Sequence, residues 1–572
     1  MNIFDMFVQS LREQEQRIAL IDGIGKRRRE VSYQALDRAI DAACARFSNA
    51  GLEAGDRVLL AVPPSVETYV AMLAMMKSGI VVMVIDPAHG ARQVAGILRE
   101  WPPDAVVASR SVLLLGLLIP ELRRIPIKFT VTGPMPGAIF LAPGEFEVQS
   151  LAMQTRSSAD SALLTFTSGS TGRPKPVIRT HGFLRQQLEV LQPVADMRDD
   201  DIDFVAMPMF VLFNLANGIT SVLPACDMKN PGRANPAVVC EQLTREKVNR
   251  IVAAPALLDR LAGYCARRHQ SLSRLRLICT GGGPVTPSLP RRLVGIAPSA
   301  TVRMVYGSTE AEPIAAIDHD QVSVTANRQM RHGAGLLAGR AVDGCDVVIV
   351  ETSGGARIPE LSESTFAKMQ LGVGEIGEIV VAGKHVLPGY ADPSRNSSTK
   401  IRVEDRTWHR TGDCGYLDRD GMLWLVGRQA AAIRDQQGVV YPFQVEYALA
   451  DVAGIRRAAL LQHDGLRTLA LEVRGRAIST ASSKAATCVA SHGIERIVAV
   501  RRIPLDRRHN SKVDYPALIR LLDGRAAGIR LTMVDALSGL YRELKAFLRS
   551  VVHCCQSMAS GTKVGPWRTR TK

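Results

Sequence analysis

The sequence predicts an α/β protein with a β-rich section and a small mixed section towards its end. In the first half of the chain, apolar runs alternate with amphipathic ones, as where RVLLAVP is followed by TYVAMLAMMKSG. This alternation favours parallel strands and helices packed in layers. From about Ala334 to Arg428 glycines are denser and the strand patterns alternate, which indicates a β-rich part. The chain after Arg428 has short, mixed elements, as in a small α+β unit that ends near Leu522.

Length and charge favour a large globular protein with small anionic ligands. A chain of 572 residues, 46% of them hydrophobic, is long enough to bury several cores. Its formal net charge is +16, but the basic residues are dispersed and the tightest run spans only Lys26 to Arg29. Because no aromatic-interleaved basic segment accompanies them, we predict no nucleic-acid partner. Attraction of polyanionic small molecules is the simpler explanation of the charge.

The sequence also predicts neither a membrane-spanning nor a secreted protein. The apolar run VLLLGLLIP, which starts at Val112, is far shorter than the roughly 20 residues that cross a bilayer. We therefore expect it to be a core segment. The N-terminal stretch MNIFDMFVQSLREQEQ lacks the basic start and apolar run of a secretory signal. Ten scattered cysteines without a C-x-x-C pair predict reduced thiols and a cytoplasmic location.

The segment from Leu163 to Thr180, LLTFTSGSTGRPKPVIRT, has the composition of a phosphate-binding loop. An apolar strand leads into a loop in which hydroxyl groups and the backbone N–H groups of glycines can turn towards an anion. Lys175 adds a full positive charge at the end of this loop. The order of residues differs from the Walker A loop, which disfavours a kinase or GTPase. The candidate phosphate ligands are Thr167, Ser168, Gly169, Ser170, Thr171, Gly172 and Lys175.

Two later segments carry residues suited to a nucleotide and a metal ion. LRLICT followed by GGGPVTPSL predicts a strand that enters a tight glycine turn, where a flat ring can approach the backbone. Further along, MVYGSTEAEPIA offers the Tyr306 ring for stacking, the Thr309 hydroxyl and the Glu310 carboxylate. Carboxylate oxygen is the ligand type that Mg²⁺ prefers when it also binds phosphate. The glycines of interest in these segments are Gly281, Gly282, Gly283 and Gly307.

Together these segments resemble the motifs of the AMP-forming adenylating enzymes, which include acyl-CoA synthetases, peptide-synthetase adenylation domains and luciferases. The loop matches the family pattern (S/T)-S-G-(S/T)-T-G-x-P-K-G except at its last position, where Pro176 replaces glycine. YGSTE is similar to the family's Y-G-x-T-E. TGD and VGR, which end at Asp413 and Arg428, resemble two later motifs. PLDRRHNSKVDYPAL is similar to the final motif, and Lys512 matches its lysine.

The resemblance implies a domain organisation. Residues 1–428 are expected to form a large N-terminal AMP-binding domain of two doubly wound α/β subdomains plus a β-rich subdomain. Residues 429–522 are expected to form a small, mobile α+β lid domain, and residues 523–572 a partly disordered tail. In the family the small domain rotates about a hinge just after the VGR arginine. Here the hinge reads Gln429 to Ala431 and departs from the usual residues.

The resemblance also implies roles for individual residues, with ATP and Mg²⁺ bound at one site. Asp413 would accept hydrogen bonds from the ribose hydroxyls, and Arg428 would contact ribose or phosphate. Glu310 and Thr167 would hold the magnesium ion. Lys512 would stabilise the charge that develops as a carboxylate attacks the α-phosphate, which is stronger binding of the transition state than of the ground state. We therefore assign Lys512, Thr167 and Glu310 as the catalytic residues.

The acid-binding pocket has two interpretations. One apolar set follows the nucleotide loop and lacks charge, which disfavours an amino-acid substrate; it consists of Met207, Met209, Phe210, Phe213 and Leu215. These residues either line a hydrocarbon tunnel or form ordinary core. Fatty and aromatic acids both remain candidates. Glu312 either faces a polar group of the substrate or is solvated.

Three functions remain open. The first is ATP-dependent formation of an acyl-adenylate, most simply from a fatty acid, followed by transfer to coenzyme A or an acyl carrier protein. The second follows from a closer resemblance to olefin-pathway β-lactone synthetases, carried by LFNLANGITSVLP, YGSTEAEPI and RRHNSKVDYPAL. There, the hydroxyl of a β-hydroxy acid closes the ring without a thiol, helped by proximity. The third is a non-catalytic homologue that only binds nucleotide, suggested by Pro176 and the altered hinge.

Overall fold

The computed structural model describes residues 2–86, 89–116, 118–141, 151–167, 174–226, 228, 230–352, 354, 356–473, 478–506 and 512–526. The chain divides into two compact units, one spanning Met1–Val513 and one that begins at Asp514. The described strands all belong to the first unit. The described part of the second unit, residues 514–526, contains one helix.

The first 300 residues alternate strands and helices, as predicted. The elements up to residue 140 are α1 (Asp5–Glu13), β1 (Ile18–Asp22), β2 (Arg29–Ser32), α2 (Tyr33–Asn49), β3 (Arg57–Ala61), α3 (Val66–Lys77), β4 (Val81–Val84), α4 (Ala91–Glu100), β5 (Ala105–Ala108), α5 (Arg110–Gly116), α6 (Pro120–Arg123), β6 (Ile127–Thr130) and β7 (Ile139–Phe140). Next come β8 (Ser161–Thr167), β9 (Lys175–Thr180), α7 (His181–Ala195), β10 (Ile202–Val205), α8 (Met209–Ala216), β11 (Thr220–Val222), α9 (Pro236–Arg245), β12 (Arg250–Ala253), α10 (Pro255–Arg267), β13 (Leu277–Gly281) and α11 (Ser288–Ile296).

The following section is rich in strands, and the last is mixed. Its elements are β14 (Thr301–Ser308), β15 (Ala311–Asp318), α12 (Val324–Arg331), β16 (Leu336–Ala341), β17 (Asp346–Val350), α13 (Glu363–Met369), β18 (Gly377–Ala382), α14 (Asn396–Thr399), β19 (Lys400–Val403), β20 (Arg406–Leu417) and β21 (Leu423–Arg428). The last section contains β22 (Ile433–Asp435), β23 (Gly438–Val440), α15 (Pro442–Glu446), β24 (Ile455–His463), β25 (Leu466–Val473), α16 (Ile478–Cys488), β26 (Arg496–Val500) and, in the second unit, α17 (Tyr515–Ala526).

A seven-stranded sheet with the order β7-β6-β5-β3-β4-β8-β9 organises the early part of the chain. Its strands are parallel except for the last pair, β8 and β9, which form an antiparallel edge. Alternate residues of one strand enter different cores: Val58 and Leu60 pack in one apolar cluster, and Leu59 packs in another. Because successive side chains of a strand point to opposite faces, both faces of this sheet are covered.

A larger sheet joins the second α/β section to the β-rich section. Its order is β17-β18-β20-β21-β16-β15-β14-β13-β12-β10-β11-β1-β2, with β19 beside β20. Along this order, neighbouring strands between β14 and β11 are parallel to each other. Neighbouring strands between β17 and β14 are antiparallel. The sequence predicts a separate β-rich part, but β15 and β16 connect it to the parallel strands as one continuous sheet. This continuity brings residues of β14, β20 and β21 close together.

The C-terminal part of the first unit has a smaller sheet and a core of its own. Strands β24, β25 and β26 form a three-stranded sheet, and an apolar cluster that includes Ile433, Leu460 and Leu471 packs against it. The predicted α/β class, with a large N-terminal part and a smaller C-terminal part, is confirmed. The described sheets are mixed rather than purely parallel.

The apolar run that starts at Val112 is not the core segment that the sequence predicts. It lies mostly in α5, where Leu113 is buried but Leu114, Leu115 and Leu118 are exposed. The helix is short and amphipathic, so only one side of it packs against the seven-stranded sheet's core. Among the described helices, none combines the length and apolar character needed to cross a bilayer.

A buried ion pair supports β20, the strand that carries Asp413. The guanidinium of Arg410 donates hydrogen bonds of 2.6 and 3.0 Å to the Glu378 carboxylate on β18. Both side chains are at most 3% exposed. Removing one partner of such a pair leaves an uncompensated charge in a poorly solvated place. The pair therefore fixes β18 against β20 near the predicted site.

We expect Glu378→Gln to lower the free energy of unfolding by about 3–5 kcal/mol, because it leaves the Arg410 charge buried without a carboxylate. Urea denaturation followed by circular dichroism measures this. The matched control is Asp346→Asn, which breaks the exposed pair of Asp346 with Arg406. Exposed pairs contribute about 0–1 kcal/mol. Equal losses in the two variants would contradict a structural role for the buried pair.

Candidate functional site

The predicted phosphate loop connects β8 to β9. Thr167 is the last residue of β8 and pairs with Lys175, the first residue of β9. The other loop residues, Ser168 to Gly172, lie outside the described residues. The Lys175 ammonium lies 5.3 Å from the centroid of the Tyr390 ring. Burial lowers the pKa of Lys175, and the Glu310 carboxylate opposes this shift.

Pro176, the departure from the family loop, occupies a tolerated position. It lies in β9, where it pairs with Phe166 of β8. Strand β9 is the terminal strand of the seven-stranded sheet. Proline lacks a backbone donor, so it is compatible with an edge strand, where one side of the strand makes no ladder. The substitution therefore leaves the β8–β9 hairpin intact on both sides of the loop.

Asp413 joins three strands of the large sheet. It pairs with Arg428 across β20 and β21, and its Oδ1 lies 2.7 Å from Nε of that arginine. Its Oδ2 accepts a hydrogen bond of 2.8 Å from the hydroxyl of Tyr306 on β14. A carboxylate has about four acceptor sites, so these two contacts leave capacity for further donors such as sugar hydroxyls. The Arg428 side chain is about half exposed, at 48%, and can still reach a ligand.

The glycines of the site have a structural reason in the strands. Gly281 ends β13, and a Cβ there would meet the carbonyl oxygen of Val305 on β14 at 2.5 Å. Gly282 has a positive φ of 73°, a conformation that favours glycine. Gly307 lies in β14, where a Cβ would contact the Ala311 backbone at 3.0 Å. These glycines allow β13, β14 and β15 to approach closely beside Tyr306, and Gly283 follows them directly.

Glu310 lies in the turn between β14 and β15, one residue after Thr309. Its Oε1 accepts a hydrogen bond of 2.7 Å from the hydroxyl of Tyr390, and its carbonyl accepts one of 2.7 Å from the Leu387 backbone. Burial would raise the pKa of Glu310, but the hydrogen bond that its carboxylate accepts from Tyr390 favours the charged form, and the pKa lies below its ordinary value. Glu310 is therefore a charged carboxylate at neutral pH.

Two lysines flank Tyr390, the residue that holds Glu310. Lys175 approaches its ring from the phosphate-loop hairpin, and the Lys400 ammonium lies 5.9 Å from the ring centroid. Lys400 is 5% exposed and donates a hydrogen bond to the Leu387 carbonyl. Burial lowers its pKa to about 7. Cations within about 6 Å of an aromatic face are attracted to it. The arrangement fixes the phenol between two basic side chains.

His409 completes this cluster on the adjacent strand. It pairs with Lys400 across β19 and β20, and it is 3% exposed. Burial and the neighbouring Lys400 charge lower the pKa of His409 to about 3. Its Nδ1 lies 3.2 Å from the carbonyl oxygen of Thr399. A neutral imidazole thus packs beside the charged Glu310 carboxylate.

Lys512 lies near the end of the first unit. Its backbone N–H donates a hydrogen bond of 2.8 Å to the Asp506 carboxylate, and its carbonyl accepts one of 2.9 Å from the Asp506 N–H. The residue is exposed. Residues 507–511 of the final motif lie outside the described residues. The backbone contacts hold Lys512 at the surface of the smaller C-terminal part.

The donor set is compatible with magnesium bound largely by phosphate. Across the described ranges, no group of three or more His, Cys, Asp or Glu side chains converges on one point. Mg²⁺ usually keeps several waters and takes one or two carboxylates plus substrate phosphates. Glu310, a carboxylate beside Thr309 and near Lys175, fits that description.

A small apolar cavity lies beside the turn that carries Glu310. Of the predicted apolar set, Met209, Phe210 and Phe213 line it, and so does Glu312. Leu215 is buried in the main core instead, and Met207 packs near Val252. The cavity is thus built from part of the predicted set. Its other lining residues are Ile3, Phe7, Met76, Arg179, Leu184, Gln187, Leu188, Leu191 and Leu212.

Several residues of the site have no clear sequence signal. Tyr390 belongs to the LPGY segment, Lys400 begins β19, and His409 lies in β20. A lysine in a strand is normally read as exposed, since lysine is almost never fully buried. Only the pairing of β19 with β20 brings Lys400 beside His409. The alternation of KIRV puts Lys400 on the same face as Arg402, which is exposed, so the sequence pattern indicates exposure rather than burial.

The model of the AMP-binding enzyme family matches residues 7–391. An olefin β-lactone synthetase from Xanthomonas campestris is 32% identical over 508 residues, which cover 84% of this chain and 89% of the relative. The chain belongs to the AMP-binding enzyme family. A rice 4-coumarate–CoA ligase is 24% identical over 80% of this chain and 82% of its own length.

The fold of this AMP-binding enzyme also matches solved structures. An amide bond synthetase from Marinactinospora thermotolerans superposes with a TM-score of 0.75 at 21% identity, covering 91% of this chain and 99% of that one. At this identity the likeness concerns the fold alone. The sequence-based assignment to the adenylating enzymes is confirmed by the family match.

We expect Lys400→Met to change how stability depends on pH. A lysine in the unfolded chain titrates near 10.4, and Lys400 titrates at about 7 in the native protein. Between these values the unfolded state binds more protons, so wild-type stability rises with pH. The variant lacks this rise. Its stability relative to wild type is therefore greatest below about pH 7 and falls by about 1.4 kcal/mol per unit of pKa shift as pH approaches 10.

Urea denaturation across this pH range measures the difference. The control variant Lys368→Met removes an exposed lysine of α13 and should track wild type. A pH-independent difference between wild type and Lys400→Met would show that the Lys400 ammonium is not desolvated.

Proposed function

We propose that this enzyme uses ATP to convert a carboxylic acid into an acyl-adenylate, releasing pyrophosphate, and then transfers the acyl group to a thiol. The observation that carries this proposal is the joining of Asp413, Arg428 and Tyr306 next to the turn that holds Glu310. An oriented acceptor for sugar hydroxyls thus lies near the Glu310 carboxylate and near the Lys175 ammonium, which follows the predicted phosphate loop. Family membership supports ATP as the nucleotide.

The first step is a displacement at phosphorus. An oxygen of the substrate carboxylate bonds to the α-phosphorus, and the bond to the bridging oxygen of pyrophosphate breaks. Negative charge grows on the leaving oxygens, where Lys175 and Lys512 are the residues that would stabilise it. Glu310 and Thr167 would hold magnesium, which neutralises phosphate charge when bound. Asp413 fixes the ribose, so the α-phosphate is presented in one orientation.

The second step is transfer to coenzyme A or to the thiol of an acyl carrier protein. The thiolate sulfur bonds to the acyl carbon and AMP leaves, with the thiol proton released. A 4-coumarate–CoA ligase among the relatives supports a thiol acceptor. None of the described cysteines forms a disulfide, and the sulfur atoms of Cys240 and Cys265 lie 3.8 Å apart, beyond disulfide bonding distance. Reduced thiols fit a reducing compartment such as the cytoplasm, where we propose that the enzyme acts.

We also propose that residues 1–428 and 429–522 act as separate domains that hinge after Arg428. Residues Gln429–Ala431 form a short 3₁₀ turn directly after β21. The chain beyond it has its own three-stranded sheet and apolar cluster. Because this part has its own core, it can move as a unit about the turn at Gln429–Ala431 without disrupting that core.

We propose that the acyl group lies in the apolar cavity beside Glu312. Its lining is mainly aliphatic and aromatic, with Arg179, Gln187 and Glu312 as polar members. Arg179 donates a hydrogen bond of 3.3 Å to the Thr309 carbonyl, one residue from Glu310. The cavity therefore adjoins the turn where activation would occur. Such a lining favours a fatty or aromatic acid over a charged one.

β-Lactone closure is the second candidate. It is favoured by the relative named olefin β-lactone synthetase, which aligns with 84% of this chain. In this reaction the β-hydroxyl oxygen of the adenylate bonds to its own acyl carbon. AMP leaves and the hydroxyl proton is released. An internal nucleophile can have an effective molarity of about 10⁵ M or more, which offsets part of the ring strain.

One assay separates these functions. The enzyme is incubated with ATP, Mg²⁺ and a panel of fatty, aromatic and β-hydroxy acids, with and without coenzyme A, and pyrophosphate, AMP and product mass are measured. We expect acid-dependent pyrophosphate release and a thioester when coenzyme A is present. A lactone formed without coenzyme A would favour the second candidate. The absence of pyrophosphate with every acid would favour a nucleotide-binding homologue without catalysis.

Lys512→Ala should lose about 100-fold or more in the rate of adenylate formation, because it removes an electrostatic donor to the transition state. Because Lys512 is exposed, the melting temperature should be unchanged. Pyrophosphate exchange into ATP measures the step. The matched control is Lys484→Ala, an exposed lysine of α16 in the same part of the chain. Normal exchange in Lys512→Ala would refute the assignment of the final motif.

A further inference from the structure

The N-terminal segment contributes to the apolar cavity in a way that the family motifs do not reveal. Ile3 precedes α1 and Phe7 lies in it, and both line the cavity together with residues of α7 and α8. They are 3% and 1% exposed. One wall of the cavity, formed by Ile3 and Phe7 and here called the α1 wall, thus lies more than 150 residues from the phosphate loop in sequence.

The α1 wall is held firmly at its start. The Asn2 amide donates hydrogen bonds of 2.8 Å to the Met76 carbonyl and 3.0 Å to the Gln154 carbonyl. The Ile3 N–H donates one of 3.0 Å to Nδ1 of His181, the first residue of α7. Asn2 and His181 are each 1% exposed. Buried hydrogen bonds of this kind are costly to break, so the wall is a fixed boundary rather than a loose flap.

On the side away from the α1 wall, polar residues of the cavity contact the turn that carries Glu310. Gln187 on α7 donates a hydrogen bond of 3.5 Å to the Glu312 carbonyl, and Arg179 donates to the Thr309 carbonyl. The Thr309 carbonyl lies in the β14–β15 turn directly before Glu310, and the Glu312 carbonyl lies two residues after Glu310, in β15. A ligand in the cavity therefore lies between the turn of the candidate site and the α1 wall.

The free space between these boundaries is small. It measures about 50 Å³. This is the volume that the centre of a water-sized sphere can reach. A cavity needs roughly 10–15 Å³ of it to hold one water-sized group, so the space admits on the order of four such groups. A short acyl part fits, whereas a longer one must displace side chains. Phe7 is the largest side chain of the α1 wall, and its ring is the bulk that can be changed most simply.

We propose that the α1 wall, chiefly Phe7, sets the upper limit of acyl length that the enzyme accepts. This inference rests on the proposed function, because it assumes that the cavity holds the acyl group. Replacing Phe7 by a smaller residue enlarges the cavity, and replacing it by tryptophan reduces it. A specificity pocket discriminates by roughly 10- to 200-fold for each methylene that it gains or loses.

The test measures acid preference in Phe7→Leu and Phe7→Trp. Straight-chain acids from acetic to palmitic acid are compared by kcat/KM for pyrophosphate release, and by calorimetric binding without ATP. We expect Phe7→Leu to gain roughly 10-fold or more for acids longer than the wild-type optimum, and Phe7→Trp to lose at least as much for the longest acids accepted. The control Phe129→Leu alters a buried phenylalanine of β6 that does not line the cavity. It should leave the preference unchanged.

The two readouts separate this inference from the proposed function. Opposite shifts of preference in the two Phe7 variants support the α1 wall. Activation of acids with an unmoved preference in both variants overturns the wall and leaves the proposed function intact. If the two Phe7 variants shift the acid length that binds best in calorimetry, but no acid gives pyrophosphate release, the α1 wall is supported and the proposed function is overturned. If no acid binds or is activated, both are wrong.

Discussion

The contact of Asp413 with Arg428 and Tyr306 is the constraint around which the candidate site is arranged. It joins β20, β21 and β14, which reach the same place only because the β-rich section continues the parallel sheet. The ion pair is partly exposed and contributes little to stability. Its importance lies in orientation: two fixed donors aim the carboxylate and leave acceptor sites free for a ligand.

The same turn that follows Tyr306 also determines the electrostatics. The Glu310 carboxylate accepts a hydrogen bond from the Tyr390 hydroxyl, and Lys175 and Lys400 flank that phenol. One carboxylate thus lies among basic and aromatic groups in a poorly solvated region. Such a region strengthens interactions with phosphate charge, since the effective dielectric constant is low. Keeping Lys400 there is unfavourable for the fold, as its pKa of about 7 indicates. Costly buried charge is typical of functional sites.

The sequence singles out candidate site residues that stand in short motifs, but not those that lie between the motifs. Asp413, Arg428 and Glu310 were singled out because they belong to TGD, VGR and YGSTE. Lys400 was not, because a lysine in a strand has no pattern that signals burial. The continuous sheet was also not predictable, since alternation identifies strands without revealing which strand lies beside which. Apolar residues of α8 were predicted as a set, but packing divides them between cavity and core.

The β14–β15 turn lies between the two parts of the site proposed for the nucleotide and for the acid. Tyr306 lies before the turn and meets Asp413, whereas the carbonyls of Thr309 and Glu312 meet Arg179 and Gln187 beside the cavity. Glu310 lies between the Thr309 and Glu312 carbonyls. Under the proposed function, a change that tilts the turn would alter both the Asp413 contact proposed for the ribose and the polar edge of the cavity. Binding of the acid and orientation of the α-phosphate would then be linked through a few residues of backbone, which β14 and β15 hold in place.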